Sequence, residues 1–96
     1  MILHTVNKSP FTTRALAECL RFIVPGDSIL LLEDGVYAAS KSGPTALIDV
    51  DTPVYAIKAD VDARGLSRHL VDTVQVVDYD GFVRLCTDHD VIKNWS

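Results

Sequence analysis

The stretch Ser28-Ile29-Leu30-Leu31-Leu32 is a short apolar run that stops abruptly at two carboxylates and a glycine, Glu33-Asp34-Gly35. It is too short to cross a bilayer, which takes about 20 apolar residues in a helix. A strand covered on one face alternates apolar and polar residues, whereas an unbroken run suits a strand covered on both faces, as at the centre of a parallel sheet. Such sheets gather their loops, and usually their ligands, at the carboxyl ends of their strands, which places Glu33-Asp34-Gly35 on the expected functional rim.

The flanking sequence supplies the remaining elements. Ile2 to Val6 reads as a first strand, ended by Asn7-Lys8. Ser9-Pro10 reads as a helix start, with a capping hydroxyl followed by a proline whose missing N–H would have no partner there. Leu16, Cys19, Leu20 and Ile23 fall at i, i+3, i+4 and i+7, which predicts a helix over Phe11 to Val24, broken by Pro25-Gly26-Asp27. Val36 to Ser40 predicts a turn or two of helix and Lys41 to Pro44 a loop; Thr45 to Asp51 stays open between a short helix and an extended segment. Pro53 to Lys58 reads as a third strand, Ala59 to Arg64 as a short helix closed by Gly65, Ser67 to Val71 as a helical turn, and Thr73 to Val77 as a fourth strand. Tyr79 to Asp90 reads as a helix carrying Phe82, Leu85, Cys86 and His89, with Trp95 pinning the tail. Strands alternating with helices, without hairpin signals, predict one α/β domain over residues 1–96, a small layered α/β/α architecture with a mainly parallel sheet. The strand order does not follow from the pattern.

Composition narrows the function. Apolar residues make up 48% of 96, rich for a chain whose small core can hide few of them, which places part of that surface at a subunit interface. A net charge of -4 with nine scattered basic residues argues against direct capture of nucleic acid, so any role involving RNA is expected to be indirect. Met1 to Thr5 lacks the regions of a signal peptide, and a cytoplasmic location without membrane attachment is expected. Cys19 and Cys86 stand far apart outside any CxxC pair, and His4, His69 and His89 are dispersed, so neither a disulfide, a metal centre nor a cofactor is expected.

The predicted strand ends collect Asn7, Lys8 and Ser9, then Glu33 and Asp34, then Lys58 and Asp60, then Asp78 and Tyr79. That convergence describes a ligand rim, but every α/β domain also puts its capping residues there, and capping is the preferred reading. Adjacent carboxylates would repel phosphate, no glycine-rich loop accompanies them, and neighbours in sequence point in different directions, so Glu33 and Asp34 do not read as an acid–base pair. The cysteines are the nucleophiles to weigh. A sulfur carrier needs a partly exposed thiolate in an electropositive setting. Cys19 sits on the apolar stripe of its helix, beyond the first turn, where a buried small hydrophobe is the simpler reading; Cys86 lies inward on the last helix.

Four stretches carry a resemblance: Ile2 through Phe11, Leu30-Leu31-Leu32-Glu33-Asp34-Gly35-Val36-Tyr37-Ala38-Ala39, Asp60-Val61-Asp62-Ala63-Arg64-Gly65 and Val77-Asp78-Tyr79-Asp80-Gly81-Phe82-Val83, with Trp95 near the end. In order and spacing they resemble the TusB/DsrH family of sulfur-relay proteins over nearly the whole chain. The resemblance implies a DsrE/DsrF/DsrH-like (DsrEFH-like) fold and assembly with DsrE/TusD-like and DsrF/TusC-like subunits into a heterohexamer, a dimer of heterotrimers. It implies persulfide relay, either towards 2-thiolation of the wobble uridine of certain tRNAs or within dissimilatory sulfur oxidation, with a DsrC/TusE-like acceptor. The principal sulfur-accepting cysteine of such complexes belongs to the DsrE/TusD-type subunit, but many DsrH-type chains carry a cysteine where Cys19 stands. The resemblance therefore makes Cys19 the candidate catalytic residue of this chain, against the core reading that its spacing favours. The competing class is a stand-alone ligand-binding or regulatory α/β module using the rim around Asn7, Asp34 and Asp60.

Overall fold

The apolar run forms the middle strand of the sheet, and burial on both faces explains its successive apolar residues Ile29 to Leu31. The computed structural model describes residues 1–41 and 50–96. Strands β1 (Ile2–Val6), β2 (Ser28–Leu31), β3 (Val54–Ile57), β4 (Val74–Val77) and β5 (Val91–Trp95) make one sheet in the order β4-β3-β2-β1-β5, with every neighbouring pair parallel. Ile29, Leu30 and Leu31 are fully buried. Ile29 and Leu31 join the larger apolar core, and Leu30 joins a smaller one with Leu3 and Leu85 on the opposite face. Successive side chains of a strand point to opposite faces, so covering both faces requires apolar residues at successive positions.

Helix α1 (Ala15–Leu20), a 3-10 helix (Glu33–Ala39) and helix α2 (Lys58–Ala63) place Leu16, Val36 and Val61 in the larger core. Helix α3 (Tyr79–Asp88) packs Leu85 against the smaller one. The chain steps from β1 to β4 in one direction and then returns to set β5 beside β1. A right-handed crossover in the reverse direction puts its helix on the other face, which is where α3 lies. The expected α/β/α layering with a parallel sheet is thus the one observed.

Three local expectations need correction. The first helix does not run from Phe11 to Val24. Ser9 takes up the capping role predicted for it, its hydroxyl accepting from the Phe11 N–H and its carbonyl from the N–H groups of Thr12 and Thr13, but only turns follow. Thr13 Oγ1 then accepts from Ala15 N–H, so threonine hydroxyls compete with the helical ladder until Ala15. Of the helical turn expected over Ser67 to Val71, only a single hydrogen-bonded turn at Ser67-Arg68 forms, His69 N–H donating to Leu66 O at 2.9 Å. The segment runs beside the end of the 3-10 helix, with Lys41 N–H donating to His69 O and Val71 N–H to Ala39 O, and Ser40 bridging Leu70. The tail beyond Asp90 is a fifth strand: the last helix stops at Asp88, and His89 turns extended. Gly65, at φ +66°, closes α2 as anticipated. Most of the Thr45 to Asp51 reading and of the Lys41 to Pro44 loop lies outside the described residues; Val50 and Asp51, which are described, belong to no helix or strand. Among those described, no helix is long and apolar enough to cross a membrane.

Candidate functional site

At the carboxyl end of β2 the chain makes a sharp turn onto the 3-10 helix. Glu33 adopts φ +51°, a left-handed conformation that costs a residue with a side chain roughly 1–2 kcal/mol. The surroundings fix it there. Glu33 N–H donates to Asp60 Oδ2 at 2.7 Å, Leu32 N–H to Val6 O at 3.1 Å, and Gly35 N–H to Leu32 O at 2.9 Å. Gly35 lies so close to β1 that a Cβ would collide with the Val6 carbonyl, which leaves glycine as the residue that fits.

Arg64, on the residue after α2, completes the arrangement. Its Nε and Nη2 donate to Asp34 Oδ1 at 3.1 and 2.9 Å, its Nη1 donates to the Asp60 carbonyl at 3.2 Å, and its guanidinium lies 6.0 Å from the centre of the Tyr37 ring. The stretches Glu33 to Tyr37 and Asp60 to Arg64 are therefore one clamp that ties the turn after β2 to the helix after β3. The two acidic neighbours separate as expected: Asp34 is paired with Arg64, whereas Glu33 engages the clamp through its backbone.

Beside the clamp, between α2 and the start of α3, lies an open cavity of about 480 Å³. Leu32, Ile57, Tyr79 and Phe82 give it an apolar lining, and Lys58, Asp60, Asp62 and Asp78 stand around it. Asp78 caps α3, its Oδ1 accepting from Gly81 N–H at 2.9 Å, and Lys58 is paired with Asp62 at 2.7 Å. Of the rim residues expected from sequence, Lys58, Asp60, Asp78 and Tyr79 converge on this cavity; Asn7, Lys8 and Ser9 do not. The Asn7 Oδ1 atom is buried without a hydrogen-bond partner.

Cys19 is placed on α1 with no exposed surface, among Val6, Ala15 and Leu16 in the larger core. Burial, assisted by the nearby Asp27 carboxylate, pushes its thiol pKa up to about 12. The thiol is held protonated at neutral pH, the opposite of what a nucleophilic sulfur needs. Cys86 is half-buried at the edge of the smaller core. Among the described residues, no cluster of His, Cys, Asp and Glu could hold a metal ion.

The feature sequence reading missed is a buried polar relay that runs from the turn before β2, through the middle of β1, to the end of β5. Trp95 Nε1–H donates to His4 Nδ1 at 3.0 Å, which leaves the imidazole proton on Nε2, donated to Asp27 Oδ2 at 2.9 Å. Asp27 also accepts from Ile2 N–H at 2.9 Å and Val24 N–H at 3.3 Å. Burial alone would raise the Asp27 pKa; the hydrogen bonds from His4, Ile2 and Val24 outweigh it and hold the carboxyl below the ordinary aspartate value. The relay binds β5 and the turn before β2 to β1. Residues 4, 27 and 95 are too far apart for any local spacing to reveal it.

Comparison with known proteins agrees with this architecture. The family model described as "DsrH like protein" matches residues 8–92. Protein TusB of Shigella flexneri is 38% identical over 96 residues, covering 98% of this chain and all of the relative, and Protein TusB of Photorhabdus laumondii gives the same identity and coverage. In structure the chain is similar to YchN from Escherichia coli, with a TM-score of 0.83 at 19% identity over 98% of this chain and 97% of that one. It is also similar to Tm0979 from Thermotoga maritima, with a TM-score of 0.67 at 29% identity over 94% and 95%. The four quoted stretches that form the clamp, the cap of α3 and the first strand thus stand in a chain that matches from end to end, and it belongs to the TusB/DsrH family.

Proposed function

We propose that this chain is an accessory subunit of a sulfur-relay complex, in which it shapes the assembly while a cysteine on a DsrE/TusD-like partner accepts the sulfur. Its family membership over the full length carries the reading. The buried, protonated state of Cys19 supports the accessory role, because a persulfide is formed by a thiolate reaching a donor sulfur, and this thiol does neither in the folded chain. Cys19 enters the proposal as a core residue that would carry sulfur only after α1 is displaced. The curated relatives named TusB favour the tRNA 2-thiolation branch, with RNA handled by other components, in keeping with the net charge of -4.

Coexpression with DsrE/TusD-like and DsrF/TusC-like subunits tests the assembly: a stable heteromer is expected, and a chain that stays monomeric beside both would overturn it. Deleting the gene in its host tests the branch, with loss of 2-thiouridine from tRNA expected and unchanged thiolation counting against it. Incubation with a persulfide donor, followed by mass spectrometry, tests Cys19. A gain of about 32 Da, one sulfur atom, that disappears in Cys19→Ser would show that Cys19 is a carrier after all.

A further inference from the structure

We infer that the cavity between α2 and α3 is a docking site for a protein segment that presents one large apolar side chain flanked by lysine or arginine. Nothing in the sulfur-relay reading requires this site, and the inference stands apart from it.

The cavity has the size and character of a recognition pocket. At about 480 Å³ it falls within the roughly 300–1,000 Å³ typical of binding clefts, and its lining is mostly apolar. Ile57 and Phe82 continue the smaller core to the surface, so its floor rests on the sheet. Tyr79 is 75% exposed although its ring meets Phe82 edge-on at 6.4 Å, so one wall is an aromatic ring left largely uncovered. Aromatic rings at the edge of a concave apolar surface are the groups that most often anchor a partner.

The charge around the opening selects the partner. Three aspartates, Asp60, Asp62 and Asp78, line the cavity with a single lysine, Lys58, which Asp62 already pairs at 2.7 Å. Asp60 faces Arg64 at 3.6 Å, and Asp78 uses one oxygen on the Gly81 N–H. The remaining field is negative, which repels anionic ligands and attracts a cation beside an apolar group. A basic segment with an apolar anchor satisfies both features: the anchor enters between Tyr79 and Ile57, and the cations meet the aspartates.

Titration of the isotope-labelled full chain with three short capped peptides tests this, using Arg-Phe-Lys, Glu-Phe-Glu and Arg-Gly-Lys as probes. Arg-Phe-Lys is expected to shift the amide signals of Ile57, Lys58 and Tyr79 saturably, and to bind about tenfold or more tighter than either control. Its affinity should fall in about 0.5 M salt, where exposed charges are screened within a few ångströms. Tyr79→Ala and Asp62→Lys should each weaken it, Tyr79→Ala without changing the remainder of the spectrum. Equal binding of Glu-Phe-Glu would overturn the charge selection, equal binding of Arg-Gly-Lys the apolar anchor, and shifts located elsewhere or no shifts at all the site itself.

Discussion

Replacing Asp27 by asparagine keeps the shape of the side chain and removes its charge, and the relay around it leaves that amide no satisfactory orientation. The carboxylate is 3% exposed and accepts three N–H groups, from Ile2 on Oδ1 and from His4 and Val24 on Oδ2. An amide offers one acceptor oxygen. With that oxygen in the Oδ1 position, its NH2 meets the His4 and Val24 donors, and His4 cannot respond by moving its proton to Nδ1 because Trp95 is donating there. With the oxygen in the Oδ2 position, the NH2 meets Ile2 N–H. Either way a buried donor loses its acceptor, at about 1–3 kcal/mol, and a charge-assisted bond is lost besides, so Asp27→Asn should cost about 2–4 kcal/mol. For a domain near 100 residues that corresponds to a fall in Tm of roughly 10–25 °C. Urea unfolding followed by the single tryptophan, Trp95, which itself belongs to the relay, measures it directly. Because the folded-state pKa of Asp27 lies below its unfolded value, its contribution is complete above the unfolded pKa and is lost as pH falls through the folded one. The gap between wild type and Asp27→Asn should therefore be constant from neutrality to about pH 4 and narrow below it. A variant within about 0.5 kcal/mol of wild type at pH 7, the range of an ordinary surface substitution, or a gap that widens in acid, would refute the relay as drawn.

Other perturbations test the remaining packing. Gly35→Ala should destabilise by several kcal/mol or prevent folding, since its Cβ would collide with the Val6 carbonyl, and circular dichroism with thermal melting checks it. Arg64→Ala should cost only about 1 kcal/mol, because Asp34 is 61% exposed and water replaces much of the pair; a loss that persists unchanged at high salt would contradict that assignment. A thiol-reactive chromogenic disulfide should label Cys86 in the native chain and leave Cys19 unmodified until the chain unfolds, with site occupancy read by peptide mass spectrometry. Trp95→Phe should cost about 1 kcal/mol through the lost bond to His4, measured by denaturant unfolding followed by circular dichroism.

What the sequence reveals about this fold depends on which faces of an element are covered. Strand β2 is legible because burial on both faces demands apolar residues at successive positions, and Ile29 to Leu31 meet that demand. Strand β5 is not legible: it is an edge strand with Val91 and Ile92 more than half exposed, and its place is set by backbone pairing to β1 and by Trp95 reaching His4. The first helix is over-read at both ends: ahead of the apolar stripe the Thr13 hydroxyl takes the Ala15 N–H, and after Leu20 the chain passes into turns, with the N–H groups of Arg21 and Phe22 donating to the Glu18 and Cys19 carbonyls. The candidate rim is half legible. Its residues are placed correctly at strand ends, but which of them converge depends on the strand order, and that order brings β3 and β4 together while two strands separate β1 from β4.

The same distinction bears on where sulfur chemistry could reside. The stretches that carry the family likeness meet Cys19 only through apolar side chains such as Val6, Val36 and Val61 in the larger core. Their polar groups build the turn after β2, the Asp60–Arg64 clamp against it and the Asp78 cap of α3. Motif residues that spend their polar atoms on holding a backbone shape, beside a helical thiol that is buried and protonated, fit the proposed accessory role, in which this chain supplies surface and a partner the nucleophile. The left-handed Glu33 is consistent with that role: a strained turn persists only where its neighbours over-determine it, and here Val6 of β1, Asp60 of α2 and Arg64 at the end of α2 do so. Disrupting the clamp should consequently impair assembly with partner subunits before it touches any thiol chemistry, so that Arg64→Ala lowers recovery of the heteromer while leaving persulfide loading of a separately supplied partner cysteine unchanged.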